Sequence, residues 1–463
     1  MVAIDGPMVV GVDSSTQSTK VVLVDAASGR VVASGSAPHP EGTEADPAAW
    51  WDALQAAGGS LVDGADAVGV AAQQHGMVVL DDAGEVVRPA LLWNDLRSAD
   101  AAERLVDELG GPQRCAELTG SVLTASFTAT KLRWLADHER AVAERVAAVV
   151  LPHDWLTQRL TGGDLTTDAG DASGTGYFDP ATRSWRPEIV ELALGHAVTV
   201  PRVAEPSEVV GRTPSGAVVS AGTGDNMAAA LGLDLEPGDV VVSVGTSGTA
   251  FAVTGAPRAD ASGLVCGFCD AGGGYLPLVC TVNASRVLST TARLLGRTLD
   301  EFDALARTAP PGANGVLLLP YLDGERTPNR PAATGVFRGV TSTTEPADIA
   351  RAAVEGLLCS LADAVTALDL TATRIILIGG GSRSESVQLL APAFFEADVV
   401  VPEPAEYVAL GAARQAAWAL AGTPDPPRWE PPPARHVVRG DDGSAREVRA
   451  RYAELREHTA GWD

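Results

Sequence analysis

Basic residues are scarce in this chain. Its 34 lysines and arginines stand against 59 aspartates and glutamates, a net charge of -25. A nucleic-acid ligand needs a cationic track along its phosphates, and no basic run supplies one, so that class of partner is set aside. Long apolar runs are missing too. GVLLLPYL (315–322) and RIILIGGG (374–381) fall far short of the roughly twenty residues of a membrane helix. The N-terminus lacks a basic-then-apolar signal, so the expectation is a cytoplasmic protein with no membrane partner. Cysteines number five in 463 residues, an odd set that does not make a secreted disulfide framework. Cys266 and Cys269 form a C-x-x-C, but no second pair follows at zinc-ligand spacing, and chance is favoured over metal or redox chemistry.

What is present is ordinary globular material, 46% hydrophobic and 20% charged. The length exceeds one core, and two α/β domains are expected. The opening block reads as three strands, VVGVD, TKVVLVD and VVASG, with Gly29 in a tight turn of an antiparallel meander. Asp46 and Pro47 begin a helix expected to pack Trp50, Leu54 and Leu61 on that sheet. Residues 66–81 read as strand, polar break, strand; helices are expected around 97–109 and 128–146; 216–234 read as a buried strand, a glycine turn and a helix.

A second hairpin, GDVVVSVGTSGTAFAVTGAP (238–257), repeats the first in design, and a long helix with a capping threonine at 344 follows later. The divisions expected are 1–220 as an N-terminal domain with a first phosphate turn, 221–425 as a related C-terminal domain, and 426–463 as a proline-rich linker with an exposed terminal helix.

Two turns have phosphate-binding composition, DSSTQST (13–19) and GTSGT (245–249), because small residues let backbone N–H groups and hydroxyls converge on anionic oxygens. Each alone is a plain hairpin turn. As a pair, with Asp13 beside one of them, they match the needs of a Mg²⁺-nucleotide, since Mg²⁺ takes one or two carboxylates and keeps its waters. LIGGGSRS (377–384) places glycines after a strand and before a helix, a favoured ligand crevice and equally an ordinary turn. AGTGDN (221–226) offers Asp225 and Asn226 either as helix caps or, for Asp225, as a general base for an alcohol. QQHGM (73–77) and LLWNDLR (91–97) concentrate donors and acceptors around His75 and Trp93, a mixture suited to a polyol; Asp95 could equally cap a helix starting at Leu96.

Together these segments resemble the FGGY family of carbohydrate kinases from about residue 8 to about 421. SFTATKLRWLADH (126–138) matches a first family signature through Lys131 and Trp134, and GVFRGVTSTTEPADIARAAVE (335–355) a second through Gly339, Asp348 and Ala352. The resemblance implies two related actin/hexokinase-like (ribonuclease H-like) α/β domains with a cleft between them. It implies Mg²⁺ as cofactor, held through water by Asp13, and ATP as co-substrate. It gives Asp225 as catalytic base and Gln74, His75, Gly76, Trp93, Asn94 and Asn226 as sugar-binding residues. The nucleotide would be held by Ser15, Thr16, Lys20, Gly245, Thr246, Ser247, Gly379, Gly380, Gly381 and Ser382, with EPAEYVALGAA (403–413) a further adenosine segment.

QQHG, WNDLR, GTGDN and YLDGERTPNRP (321–331) resemble the members that act on D-xylulose, which implies phosphorylation at its 5-hydroxyl. The alternatives are another ketopentose or polyol, such as D-ribulose or an alditol, or a non-catalytic sugar or nucleotide sensor on the same fold. Ser15 stands where many members have glycine, and Gln74 where many have methionine or another residue. A homodimer is left open.

Overall fold

The structure, a computed structural model, describes residues 6–438 and 443–462. The chain forms two compact units. One comprises Met1–Leu235, Thr254–Leu276 and Ala405–Pro431; the other comprises Glu236–Val253, Pro277–Pro404 and Pro432–Asp463.

In the first unit, Met8–Ser14, Ser18–Asp25 and Val31–Pro38 form the expected antiparallel meander. Parallel strands extend it: Ala67–Ala72 pairs with Met8–Ser14, and Val218–Ser220 and Thr223–Gly224 pair with Ala67–Ala72. The strand Met8–Ser14 is buried almost throughout because both faces of the sheet are covered. Alternation along the strand sorts its side chains. Val10 and Val12 join Trp50, Leu54 and Leu61 of the helix Pro47–Asp63. Val9 joins Ala409, Ala413 and Ala416 of the helix Tyr407–Ala421. Asp46 caps the first of these helices, its carboxylate accepting from the Ala48 N–H at 2.9 Å.

The helix Tyr407–Ala421 lies so close that side chains are excluded beneath it. A Cβ on Gly11 would sit 1.8 Å from the Ala409 carbonyl oxygen, one on Gly69 2.1 Å from that of Ala412, and one on Gly411 1.8 Å from that of Ala228. The part of EPAEYVALGAA from Tyr407 on is therefore a packing element of the first unit. The same contact explains a boundary later than residue 220. Thr223–Gly224 belongs to the first sheet, and the helix Asp225–Gly232 packs on Tyr407–Ala421, so Asp225 lies in the first unit.

In the second unit the sheet runs Tyr275–Thr281, Gly248–Phe251, Asp239–Val244, Arg374–Ile378, Asp398–Pro402, Ala434–Val437, with Arg374–Ile378 parallel to both of its neighbours. The long helix is Pro346–Ala367. Its cap is Glu345, whose N–H donates to Asp348 Oδ2 at 2.9 Å, and not Thr344, which instead accepts from the Thr341 N–H. The helix Ser444–His458 is not an exposed appendage: Ala445, Val448, Tyr452 and Leu455 form a buried stripe at helical spacing. The proline-rich segment before it is also anchored, Trp429 donating its indole N–H to the Ala26 carbonyl at 3.0 Å. Among the described residues, no helix is long and apolar enough to cross a membrane.

Candidate functional site

Three parallel strand ends build the first half of the site. Asp13 and Thr223 flank Ala71 in register, so the chain emerges from neighbouring strands at Asp13–Ser14, at Gln73–Gln74–His75 and at Gly224–Asp225. Adjacent strands are about 4.8 Å apart, which places the two outer ends roughly 10 Å apart across Gln73. This is the edge of an open α/β sheet at which ligands bind.

Asp13 is 3% exposed. Burial lifts its carboxyl to about 6, against the Ser15 hydroxyl, which donates to Oδ1, and the charge of Lys20. Lys20 is engaged elsewhere, 2.7 Å from Glu406 in the same unit. Asp225 is only partly exposed at the helix start, and burial together with the neighbouring charge of Asp13 raises it to about 7. Asn226 orients it, donating from N and Nδ2 to Oδ1 at 2.7 and 2.8 Å. Two carboxylates raised by burial, Asp225 also by the charge of Asp13, are a donor set that a cation would relieve, and Asp13 fits the single-carboxylate, water-rich demand of Mg²⁺.

The residues expected to hold a polyol gather around the middle strand end. His75 has a left-handed backbone (φ 67) and its Nδ1 lies 2.5 Å from the Gly174 carbonyl oxygen. The rings of Phe127 and Phe268 stand 5.0 and 5.8 Å from its own. Gln74 Nε2 donates to the Gly170 carbonyl at 3.4 Å. Trp93 is 40% exposed and donates its indole N–H to Thr16 Oγ1 at 2.8 Å, while that hydroxyl donates to Gln73 Oε1 at 3.2 Å. The Thr16 hydroxyl is thus tied to the sugar-side residues. Gln73 Nε2 and Asn94 Oδ1 are buried and make no hydrogen bond among the described residues, a donor and an acceptor open to hydroxyls. Gly76 packs against Pro152, where a Cβ would come within 2.5 Å of Cγ.

Asp95 is not a helix cap. The next helix begins at Ala99, and Asp95 accepts instead from Thr43 Oγ1 at 2.6 Å and from Arg97 Nε at 2.8 Å. Gln73 was missed by sequence reasoning although it stands in the QQ doublet, and Phe127, Gly174 and Phe268 could not be found because no local spacing links them to His75. Lys131 of the first signature is fully buried, its Nζ donating to the carbonyls of Ala125, Ser126 and Phe127.

The second unit brings its own two turns together. Ser243 pairs with Ile378 on parallel neighbours, so Gly245–Thr246–Ser247 and Gly379–Gly380–Gly381–Ser382 leave adjacent strand ends. A Cβ on Gly379 would approach the Val244 backbone to 2.8 Å, and one on Gly381 would meet Val244 Cγ1 at 2.5 Å. Glycine permits that side-by-side course and bares the backbone. Thr246 and Ser247 are exposed. Cys266 and Cys269 are buried in one strand, and burial lifts the Cys269 thiol to about 12, far from a reactive thiolate.

The fold and its strand-end turns define a protein of the sugar kinase and actin class. The sequence matches the N-terminal domain of the FGGY family of carbohydrate kinases over residues 8–232 and its C-terminal domain over 240–420. The chain belongs to that family, and it is a carbohydrate kinase. It is 49% identical to a xylulose kinase of Streptomyces coelicolor, over 91% of this chain and 90% of that protein. It is 48% identical to a xylulose kinase of Streptomyces rubiginosus, over 93% and 92%. A crystal structure of xylulose kinase from Bifidobacterium adolescentis superposes with a TM-score of 0.90 at 41% identity, covering 97% of this chain and 99% of that one.

Proposed function

We propose that this chain transfers the γ-phosphoryl group of ATP to the 5-hydroxyl of D-xylulose, giving D-xylulose 5-phosphate and ADP. The observation that carries the reading is the row of three strand ends that presents Asp13, the Gln73–Gln74–His75 cluster and Asp225 together. Likeness to xylulose kinases over nine-tenths of the chain supports the substrate.

In this reading Asp225 accepts the proton of the 5-hydroxyl as its oxygen bonds to the γ-phosphorus and the bond to the β,γ-bridging oxygen breaks. Asn226 keeps the accepting carboxylate aimed. A carboxyl at about 7 is well matched to taking and releasing a proton near neutrality. Gln74, His75, Gly76, Trp93 and Asn94 hold the other hydroxyls, and Gln73 joins them. A site built to bond a hydroxyl rejects an analogue lacking it by about 10⁴-fold, because its own buried polar groups are then unpaired.

Asp13 would hold Mg²⁺ through water, and the ion would neutralise charge on the phosphate oxygens. Ser15, Lys20, Gly245, Thr246 and Ser247 are the phosphate-side groups, with Thr16 linking them to the sugar side; Gly379, Gly380, Gly381 and Ser382 serve the adenosine. A cytoplasmic location goes with the need for ATP.

The test is a panel of ketopentoses and alditols with Mg²⁺-ATP and coupled detection of ADP. D-xylulose is expected to give the highest kcat/KM. A higher value on D-ribulose or an alditol overturns the substrate, and no ADP from any of them overturns the reaction.

A further inference from the structure

Behind the sugar-side strand ends lies a cluster of ionisable side chains for which the phosphoryl-transfer reading has no use. His153 and Asp154 come from the helix Pro152–Thr161, Asp168 from the end of the strand Thr166–Asp168 and Asp171 from the helical turn Ala169–Ala172 that follows it. None of the four is more than 3% exposed. His153 Nδ1 lies 2.5 Å from Asp171 Oδ2, and its Nε2 lies 3.3 Å from Asp154 Oδ1.

The cluster is wired to the site at three places. Asp168 caps the short helix Ala169–Ala172 by accepting from the N–H groups of Gly170 and Asp171, and its Oδ2 also accepts from Thr223 Oγ1 at 2.7 Å. Thr223 is two residues from Asp225. The same turn offers the Gly170 carbonyl to Gln74 and the Gly174 carbonyl to His75. Finally, the His153 ring packs against Gly222, where a Cβ would come 2.5 Å from Cδ2.

We propose that His153 is a positioning residue. As the single cation among Asp154, Asp168 and Asp171, it fixes the 168–174 turn, and through that turn the sugar-binding pair Gln74–His75 and the strand end that carries Asp225. Burial alone would draw the imidazole down, but the carboxylates of Asp154, Asp171 and Asp168 outweigh it and lift His153 to about 10, so the ring stays charged. Removing that charge takes from Asp171 its side-chain partner and from Asp154 and Asp168 their countercharge, and the turn must shift to bring Asp171 toward water. The inference rests on the roles given above to Gln74, His75 and Asp225.

The experiment measures kcat, KM for D-xylulose, KM for ATP and Tm on the full-length chain for H153Q, H153K and T223V, with D225A as reference. H153Q is expected to lose about 10²-fold in kcat/KM for D-xylulose, the scale of a small misplacement of reacting groups, with KM for ATP unchanged. H153K keeps a cation and should recover most of that loss. T223V cuts the Thr223–Asp168 bond without touching the ion pairs and should lower kcat about tenfold at nearly unchanged Tm; it carries the test alone if H153Q does not fold.

Wild-type kcat in T223V overturns the proposal, as does an H153Q protein whose only defect is a lower Tm. So does one equivalent of tightly bound metal that H153Q loses, since His153, Asp154 and Asp171 would then be a metal centre. An inactive D225A beside a kinetically normal H153Q sinks the positioning role alone; an active D225A sinks the assignment of the base and this inference with it.

Discussion

The two units each carry a strand–turn–strand hairpin of the same design, and the two differ in one kind of residue. In the first, Asp13 stands at the strand end opposite Lys20; in the second, Ser243 pairs with Thr249 and no ionisable side chain stands at the turn. The first turn is also spoken for by its surroundings, since Ser15 donates to Asp13 and Thr16 is bonded to Trp93 and Gln73. The second leaves Thr246 and Ser247 exposed next to bare glycine backbone. In the proposed reaction similar backbones would do different work: the charged hairpin would organise the cation and the sugar side, and the other would offer donors to an anion.

The contrast is sharpest at the carboxylates, where the largest effects are expected. Asp225→Ala should lower kcat by about 10²- to 10⁴-fold, the range of a lost general base, with little change in KM for ATP. Asp13→Asn should cost about 10²-fold, and should do so by weakening the Mg²⁺ dependence of the rate as well as kcat. A Mg²⁺ titration separates the two variants. Indistinguishable Mg²⁺ curves for wild type and Asp13→Asn would break the comparison between the hairpins.

The pH profile gives the next effect. Asp225 accepts a proton only when ionised, and burial and Asp13 raise it to about 7, so kcat should fall as pH drops through about 7 and level off above it. Asp13→Asn removes one of the two causes, so its acid limb should lie at lower pH. A kcat profile flat from pH 6 to 8 in the wild type, each value an approximate buffer setting, would show that another group takes the proton.

Valine at the two turn threonines probes the hairpins directly. Thr246→Val should raise KM for ATP by roughly tenfold, the loss of one hydrogen bond to a charged group, and leave KM for D-xylulose in place. Thr16→Val cuts the link to Trp93 and Gln73 and should raise KM for D-xylulose. Equal effects of both variants on both constants would erase the division of labour between the turns.

How much of this could be read from the residues alone follows the same line. The meander, the helix capped by Asp46 and both hairpins were legible because period-two apolar patterns and turn residues are local signals. The family signatures gave the pairing of two α/β units. What could not be read came from distant parts of the chain. Nothing in YVALGAA says that its carbonyls press on Gly11 and Gly69, and nothing in PHDWL says that His153 meets Asp171. Thr344 reads as the helix cap because threonine is a common one, yet the bond from the Glu345 N–H to Asp348 puts the cap one residue later. Asp225 was assigned to the wrong half because a glycine turn after a strand looks like a boundary, while the parallel sheet pairing that overrides it is with Ala71–Ala72, 152 positions earlier in the sequence.

The smallest effects should come from the glycine turn beside the second hairpin, where neighbouring positions of one composition make opposite demands. Gly379 has φ 90, and a Cβ there would press to 2.8 Å on the Val244 backbone just before the phosphate turn. Gly380 has nothing within 4 Å of its Cβ position. Gly379→Ala must therefore either adopt a strained backbone or push the strand end away, at about 1–3 kcal/mol, and displacement of that strand end should also raise KM for ATP. Gly380→Ala should leave Tm within about a degree or two of wild type, as an unconstrained surface change does. It then isolates the ligand's demand from the fold's: a raised KM for ATP in Gly380→Ala at unchanged Tm would mean that the nucleotide itself lies against this glycine, whereas wild-type kinetics would confine the close approach to Gly379 and Gly381.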